Sequence, residues 1–306
     1  MAYAKGVVDC TREPDTSRLK GKSVVITGGA NGMGLEAVKL FAQADAFVTF
    51  CDVNEAEGKK VEAQLGLTNV NFVKADVTKW EDQVQVFNAA KAKSPHNSVD
   101  VVIANAGISG ADILHKVDDS DEAVKPELSI VNIDLIGVMY TLKLARHYFA
   151  RQPDTEERDR CFMITASLAG FMDLPESPQY TAAKWGCRGL MRCLRRTSVL
   201  DKTRYNNICP WFISSAIRPP QVEAYYLSKG ISFCQGSDAA RAMVYVASDK
   251  SINGRSLAIL PREIAAAGFR DVDLDDYEYG DLLDTFQNQL IAINRNLNDA
   301  AAATAR

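Results

Sequence analysis

Tyr180 and Lys184 stand one helical turn apart, with Ser167 upstream and a glycine-rich run, Thr27-Gly28-Gly29-Ala30-Asn31-Gly32-Met33-Gly34, near the start of the chain. A free tyrosine is a poor base at neutral pH, because its phenol titrates at about 10. A neighbouring ammonium or a positive nicotinamide ring favours the phenolate, which can take a proton from an alcohol. A serine hydroxyl beside it can steady charge on the reacting oxygen. The glycine run suits a different task. Small residues at a helix N-terminus let backbone N–H groups approach a pyrophosphate. A phosphate cradle and an activated phenol in one chain point to hydride transfer.

Neither half is convincing alone. With ten tyrosines a chance Tyr-x-x-x-Lys match is expected, and Tyr225 with Lys229 is one. No serine lies upstream of it at the distance seen for Tyr180, so it reads as a surface loop or short helix.

Positioning these groups falls to an alternation of short apolar runs and helical patterns. Ser23 to Thr27 is a β-branched run feeding the glycine loop, and Met33, Leu35, Val38, Leu40 and Phe41 mark the helix after it. Phe47 to Cys51 predicts a second strand ending at Asp52, Glu55 to Leu65 a helix, and Asn71 to Lys74 a third strand ending near Asp76. A helix over Trp80 to Lys93 and a buried strand over Val99 to Ala104 follow. Then come a long helix over Ile130–Phe149, a strand over Cys161–Thr165, a helix over Tyr180–Ser198 and a strand over Arg204–Ile208. Ser237–Ser248 reads as the next helix and Arg255–Leu260 as the last strand. This rhythm implies parallel crossovers: an α/β fold, a single doubly wound Rossmann domain over residues 21–260 with a parallel sheet flanked by helices.

Three regions stand outside it. Residues 1–20 form a polar N-terminal extension. Ser214 to Gln235 is a long connection suited to a substrate loop. Residues 261–306 form a C-terminal extension with an acidic, aromatic stretch, Asp271 to Asp281, and a helical stripe of Leu282, Leu283, Phe286, Leu290 and Ile293. That stripe predicts packing on the domain or on a second subunit.

Composition narrows the partners. Hydrophobic content of 47%, charge of 24% and a net charge of −4 fit a globular protein and argue against nucleic acid. The cluster Arg188, Arg192, Arg195 and Arg196 lies on one predicted helix and reads as a solvated or subunit-facing surface. Seven cysteines without a C-x-x-C pair and three dispersed histidines predict no disulfide framework and no metal site. No signal or membrane segment is evident, so a reducing cytoplasm is the expected location.

Asp52, at the end of the second strand, stands where a carboxylate would grip both ribose hydroxyls. A 2′-phosphate there would be repelled, and Cys51, Val53, Ala30 and Asn31 offer no cation. NAD is expected over NADP.

Taken in order, Thr27-Gly28-x-x-x-Gly32-x-Gly34, Asp76-Val77, Asn105-Ala106-Gly107, Asn132, Ser167 and Tyr180-x-x-x-Lys184 resemble the short-chain dehydrogenase/reductase family, over about Leu19 to Leu260. Within it the chain looks most like NAD-dependent secondary-alcohol dehydrogenases, with a tail similar to fungal polyketide-pathway members. The resemblance implies Tyr180 as acid/base, Lys184 as its partner and nicotinamide-ribose ligand, Ser167 on the substrate oxygen and Asn132 anchoring a relay water. It further implies that Gly28, Gly32, Met33, Gly34, Asp76, Val77 and Asn105 to Gly107 border the cofactor. The family often forms dimers or tetramers through helices matching Ile130–Phe149 and Tyr180–Ser198.

The chain departs from that pattern after the sixth strand. The usual Pro-Gly is Pro210-Trp211, and Ser215 falls where a threonine would bond the carboxamide. Trp211 has two readings, core packing or stacking on substrate. Leu168, Phe171, Met172, Leu174, Trp211, Phe212 and Tyr225 are candidates for a hydrophobic substrate pocket. The expected reaction is hydride exchange between a hydrophobic secondary alcohol and NAD. Ketone reduction, a redox-neutral cyclase or epimerase, and an NAD-sensing protein are alternatives on the same scaffold.

Overall fold

The strands that carry the site are short, β-branched and covered on both faces, which suits parallel pairing. The computed structural model describes residues 6–119, 121–214 and 220–294. Among them, β1 (Ser23–Thr27), β2 (Phe47–Asp52), β3 (Val70–Lys74), β4 (Val101–Ala104), β5 (Cys161–Thr165), β6 (Arg204–Pro210), β7 (Ser256–Ile259) and β8 (Phe269–Asp271) form one sheet. Its order is β3-β2-β1-β4-β5-β6-β7-β8. Seven strands run parallel. The expected wholly parallel sheet gains an antiparallel edge, β8, paired with β7. The link between them is too short for a crossover, so the chain can only turn back. Gly268, at φ +78°, makes the turn; a Cβ there would also strike Asp238.

Alternation within each strand separates two cores. Val24 and Ile26 of β1 face α1 (Gly32–Gln43) and α8 (Gly236–Ser248). Val25 faces the opposite layer, α3 (Trp80–Lys93), α5 (Val138–Phe149) and α6 (Pro178–Asp201). Val101 with Ile103, and Val102 with Ala104, divide in the same way on β4. β1 pairs with β2 on one side and β4 on the other, so strand order reverses between β1 and β4. Ligands of such sheets bind at that crevice, beyond the strands' carboxyl ends.

α2 (Glu55–Leu65) and α7 (Pro220–Ser228) fall where helical patterns were expected or allowed. The long helix expected over Ile130–Phe149 is present and continuous, but it is not α-helical throughout. It consists of a single turn, α4 (Ser129–Val131), then a π-helical turn over Asn132–Gly137, then α5. Gly137 lies against Val77, where a Cβ would come within 3.0 Å of the valine methyl. The N-terminal residues also join the domain: Cys10 and Leu19 enter the core, and Val8 N–H donates to Asp271 on β8. A final helix, α9 (Leu282–Ala292), leaves Leu282, Leu283, Phe286, Leu290 and Ile293 exposed on this subunit.

The entry to α1 leaves no spare volume at Gly34. A Cβ on Gly34 would lie 2.0 Å from the Gly28 carbonyl oxygen and 2.6 Å from Asn105 Nδ2. Gly34→Ala is therefore expected to lower stability by about 1–3 kcal/mol, the usual cost of overpacking, in urea unfolding. An unchanged midpoint would show that the loop relaxes freely.

Candidate active site

The carboxyl ends of β1, β4 and β5 are stapled by one side chain, Asn105. Its Nδ2 donates to the carbonyls of Thr27 and Gly28 at 3.1 and 3.0 Å. Its Oδ1 accepts from Thr165 Oγ1 at 3.1 Å. Thr27 Oγ1 accepts from the N–H groups of both Asn105 and Ala106 at 3.0 Å. The glycine loop is thereby pressed onto β4, and a Cβ on Gly28 would meet the Ala106 backbone at 2.8 Å. Gly28 and Gly32 adopt φ +66° and +54°, which L side chains rarely take.

Gly32, Met33 and Gly34 form the first turn of α1, whose cap, Asn31, makes no side-chain capping bond. A Cβ on Gly32 would meet nothing within 4 Å, so the loop is open on that side. This small-residue cradle at a helix N-terminus fits a pyrophosphate. Asp52 closes the far side. Its Oδ2 accepts from Ala30 N–H at 3.2 Å and its Oδ1 from Asn54 N–H at 3.0 Å. The carboxylate thus shapes the glycine loop from the end of β2, where a ribose would lie. Asp76 and Val77 follow β3; Asp76 accepts from Thr78, and Val77 is buried with its carbonyl held by Gln83 at 2.6 Å.

Lys184 is buried in α6, and its Nζ lies 3.0 Å from Asp134 Oδ2 and donates to the Thr165 carbonyl at 3.1 Å. The same Nζ stands 5.3 Å from the centre of the Tyr180 ring. Burial by itself lowers the amine's pKa, but Tyr180 and Asp134 more than offset that, and it is pushed up to about 12. The group therefore stays an ammonium across the neutral range. Ser167 is buried at the end of β5, where its Oγ accepts from Ala169 N–H at 3.1 Å and contacts the Pro210 carbonyl at 3.4 Å.

One expected member is elsewhere. Asn132 is exposed at the start of the π-helical turn, while Asp134, fully buried, occupies the place beside Lys184. Asp134 Oδ1 accepts from Ile108 N–H at 2.8 Å, and its Oδ2 has no aligned hydrogen bond among the described residues. The two residues differ by two positions on one helix, so only the helical phase decides which turns inward. The sole sequence signal for Asp134 was a carboxylate within an otherwise apolar stretch, Ile133 to Val138. Ser215 lies outside the described residues.

Trp211 packs partly against the α1–α8 core and meets Phe212 edge-on, with ring centres 4.8 Å apart. Phe212 in turn meets Tyr226 of α7 at 5.2 Å. Tyr225 and Lys229 form only an exposed cation–π contact. Arg188, Arg192 and Arg195 are buried or partly buried rather than a solvated surface; they bind Asp275 and Asp276 of the C-terminal extension, a partner in sequence too distant for pattern reading to supply. No group of three or more potential metal ligands occurs among the described residues, and no described helix is long and apolar enough to cross a membrane. A cleft of about 930 Å³ lies at the opposite end of the sheet, but its cations are already engaged, Lys22 by the Glu157 carbonyl and Arg158 by Asp100.

Residues 22–225 match the short chain dehydrogenase family. The chain belongs to that family. It is 33% identical over 265 residues to a 5′-hydroxyaverantin dehydrogenase of Dothistroma septosporum, covering 81% of this chain and 87% of that one. It is 32% identical to 5′-hydroxyaverantin dehydrogenase stcG of Emericella nidulans, with the same two coverages. The crystal structure of gox2181 shares the fold, with a TM-score of 0.65 at 22% identity over 78% of this chain and 95% of that one. The protein is thus a short-chain dehydrogenase/reductase, an oxidoreductase of CH–OH groups whose Rossmann fold implies a nicotinamide cofactor.

The buried ion pair yields a test. Lys184 titrates above its unfolded value, so the stability its charge contributes is whole below 10.5 and is lost as pH rises through about 12. Asp134→Asn keeps the bond from Ile108 but strips the ammonium of its counter-charge, and should cost about 3 kcal/mol or more in urea at neutral pH. The difference from wild type should shrink once the pH exceeds 10.5. A variant as stable as wild type at pH 7 would show the pair to be energetically idle.

Proposed function

We propose that this enzyme transfers hydride between a hydrophobic secondary alcohol and NAD, with Tyr180 as the acid/base. The observation that carries the reading is the Tyr180–Lys184–Asp134 array, set beside a glycine cradle at the sheet's switch point. Bound there, the nicotinamide supplies the hydride acceptor or donor. Gly28, Gly32, Met33 and Gly34 would hold the pyrophosphate, Asp52 the adenosine ribose, and Asp76 with Val77 the adenine side. Asn105, Ala106 and Gly107 would border the nicotinamide half, with Ser215 on its carboxamide.

The chain's own residues then have distinct tasks. Tyr180 takes the alcohol proton in oxidation and returns it in reduction. Lys184, kept charged in a dry site, favours the phenolate and is held by Asp134 and the Thr165 carbonyl. Ser167 hydrogen-bonds the substrate oxygen as its charge changes. Asp134 takes the place that the sequence pattern had suggested for Asn132, with a carboxylate where a relay-water anchor was expected.

Preference for NAD rests on Asp52 and on the uncharged loop positions Ala30 and Asn31 beside it. A hydrophobic substrate is favoured by Leu168, Phe171, Trp211 and Phe212 near the site and by the secondary-metabolic relatives. The exposed Met139 and Trp185 on α5 and α6 favour assembly into a homodimer or homotetramer.

The test is NADH formation with NAD and a panel of hydrophobic secondary alcohols, polyketide-like ones included. Tyr180→Phe should abolish turnover yet leave NAD binding nearly intact. Tight NAD binding without turnover on any panel alcohol would instead favour a redox-neutral or sensing protein. Asp52→Ala should weaken NAD use and narrow its margin over NADP; unchanged selectivity would refute the ribose assignment.

A further inference from the structure

Arg188 continues the stripe of α6 that carries Tyr180 and Lys184, each four residues from the next. Its guanidinium ties α6 to two other segments. Nε donates to Asp275 Oδ1 at 2.8 Å, Nη2 to the Leu274 carbonyl at 2.8 Å, and Nη1 to the Gly170 carbonyl at 3.3 Å. Its plane lies 3.9 Å from the centre of the Phe171 ring. Gly170 and Phe171 belong to the tight turn that Ser167 begins, in which Gly170 N–H donates to the Ser167 carbonyl and Phe171 N–H to that of Leu168. Gly170 also presses on α6, where a Cβ would come within 2.9 Å of the Lys184 carbonyl.

Asp275 lies in the strap that follows β8, beyond the stretch matching the family. It is 2% exposed, so its charge depends on Arg188 and on Arg192 at 3.7 Å. The strap itself is secured independently, by Arg255 bound to Asp271, Asp273 and Asp276. Losing the Asp275 contact would therefore remove the counter-charge that fixes Arg188 and leave it only the Leu274 and Gly170 carbonyls, without detaching the strap.

We propose that Arg188 is a positioning residue for the Ser167 turn and that Asp275 of the C-terminal strap is its anchor, so that the strap acts on the substrate side through that turn. The second half of that statement rests on the dehydrogenase reading above; the first does not.

Hydrogen–deuterium exchange on the full chain, read over the amides of residues 168–171, tests the first half without any turnover. Asp275→Asn and Arg188→Met should each speed exchange there by about ten-fold, as expected when a local unit loses a buried ionic contact. The double variant should match either single one, and Asp275→Glu should restore slow exchange. Residues 28–34 should exchange as in wild type. Unchanged exchange in the turn, or equal acceleration in both segments, would overturn the positioning role. For the second half, the panel alcohol with the highest turnover should show a lowered kcat/KM in Asp275→Asn, with NADH affinity little changed. An unchanged kcat/KM with a loosened turn would show that the strap has no influence on the substrate side. If no alcohol turns over even in wild type, the dehydrogenase reading fails while the exchange result still decides the positioning role.

Discussion

A positive charge buried among apolar side chains organises this enzyme. An ammonium removed from water is costly to maintain unless counter-charge and acceptors surround it. Lys184 has both: the Asp134 carboxylate, the Thr165 carbonyl at the end of β5 and the Tyr180 ring. These partners come from three elements, so satisfying the charge also fixes how α6, the π-helical turn and the sheet sit together. A π turn inside a helix is seldom stable without local compensation and often marks a functional site. Here the compensation is visible, since Asp134 reaches both Lys184 and the Ile108 amide after β4.

The nucleotide side obeys a different constraint, close approach of backbone to backbone. Gly28 against Ala106, Gly34 against the Gly28 carbonyl and Gly137 against Val77 leave no room for a side chain. Asn105 and Asp52 spend their hydrogen bonds on holding that backbone in place. Residues expected to border the cofactor therefore also hold the backbone around them, which is why such positions tolerate so little change in volume. The C-terminal extension applies the same economy with charge. Arg255 binds the strap, and Arg188 carries that attachment to the turn after Ser167.

Much of this was legible in the residue order. The strands that bear the site are runs with two buried faces, and the helices between them are periodic, so the doubly wound order followed from local pattern alone. The glycine loop, Asp52, Ser167, Tyr180 and Lys184 were each singled out by type and spacing because backbone approach and short-range chemistry restrict the choice. The antiparallel β8 escaped notice because three residues, Phe269 to Asp271, are too few for periodicity to register.

What sequence determined by itself was thus the layered fold, the family and the residue types of a tyrosine–lysine site. Tertiary structure alone decided that Asp134 rather than Asn132 meets Lys184, because helical phase through a π turn cannot be read from spacing. It alone decided that Arg188, Arg192 and Arg195 of α6 meet Asp275 and Asp276. Charge pairing across some eighty positions leaves no local pattern; it exists only once the sheet has brought the two segments within the few ångströms over which a buried ion pair acts.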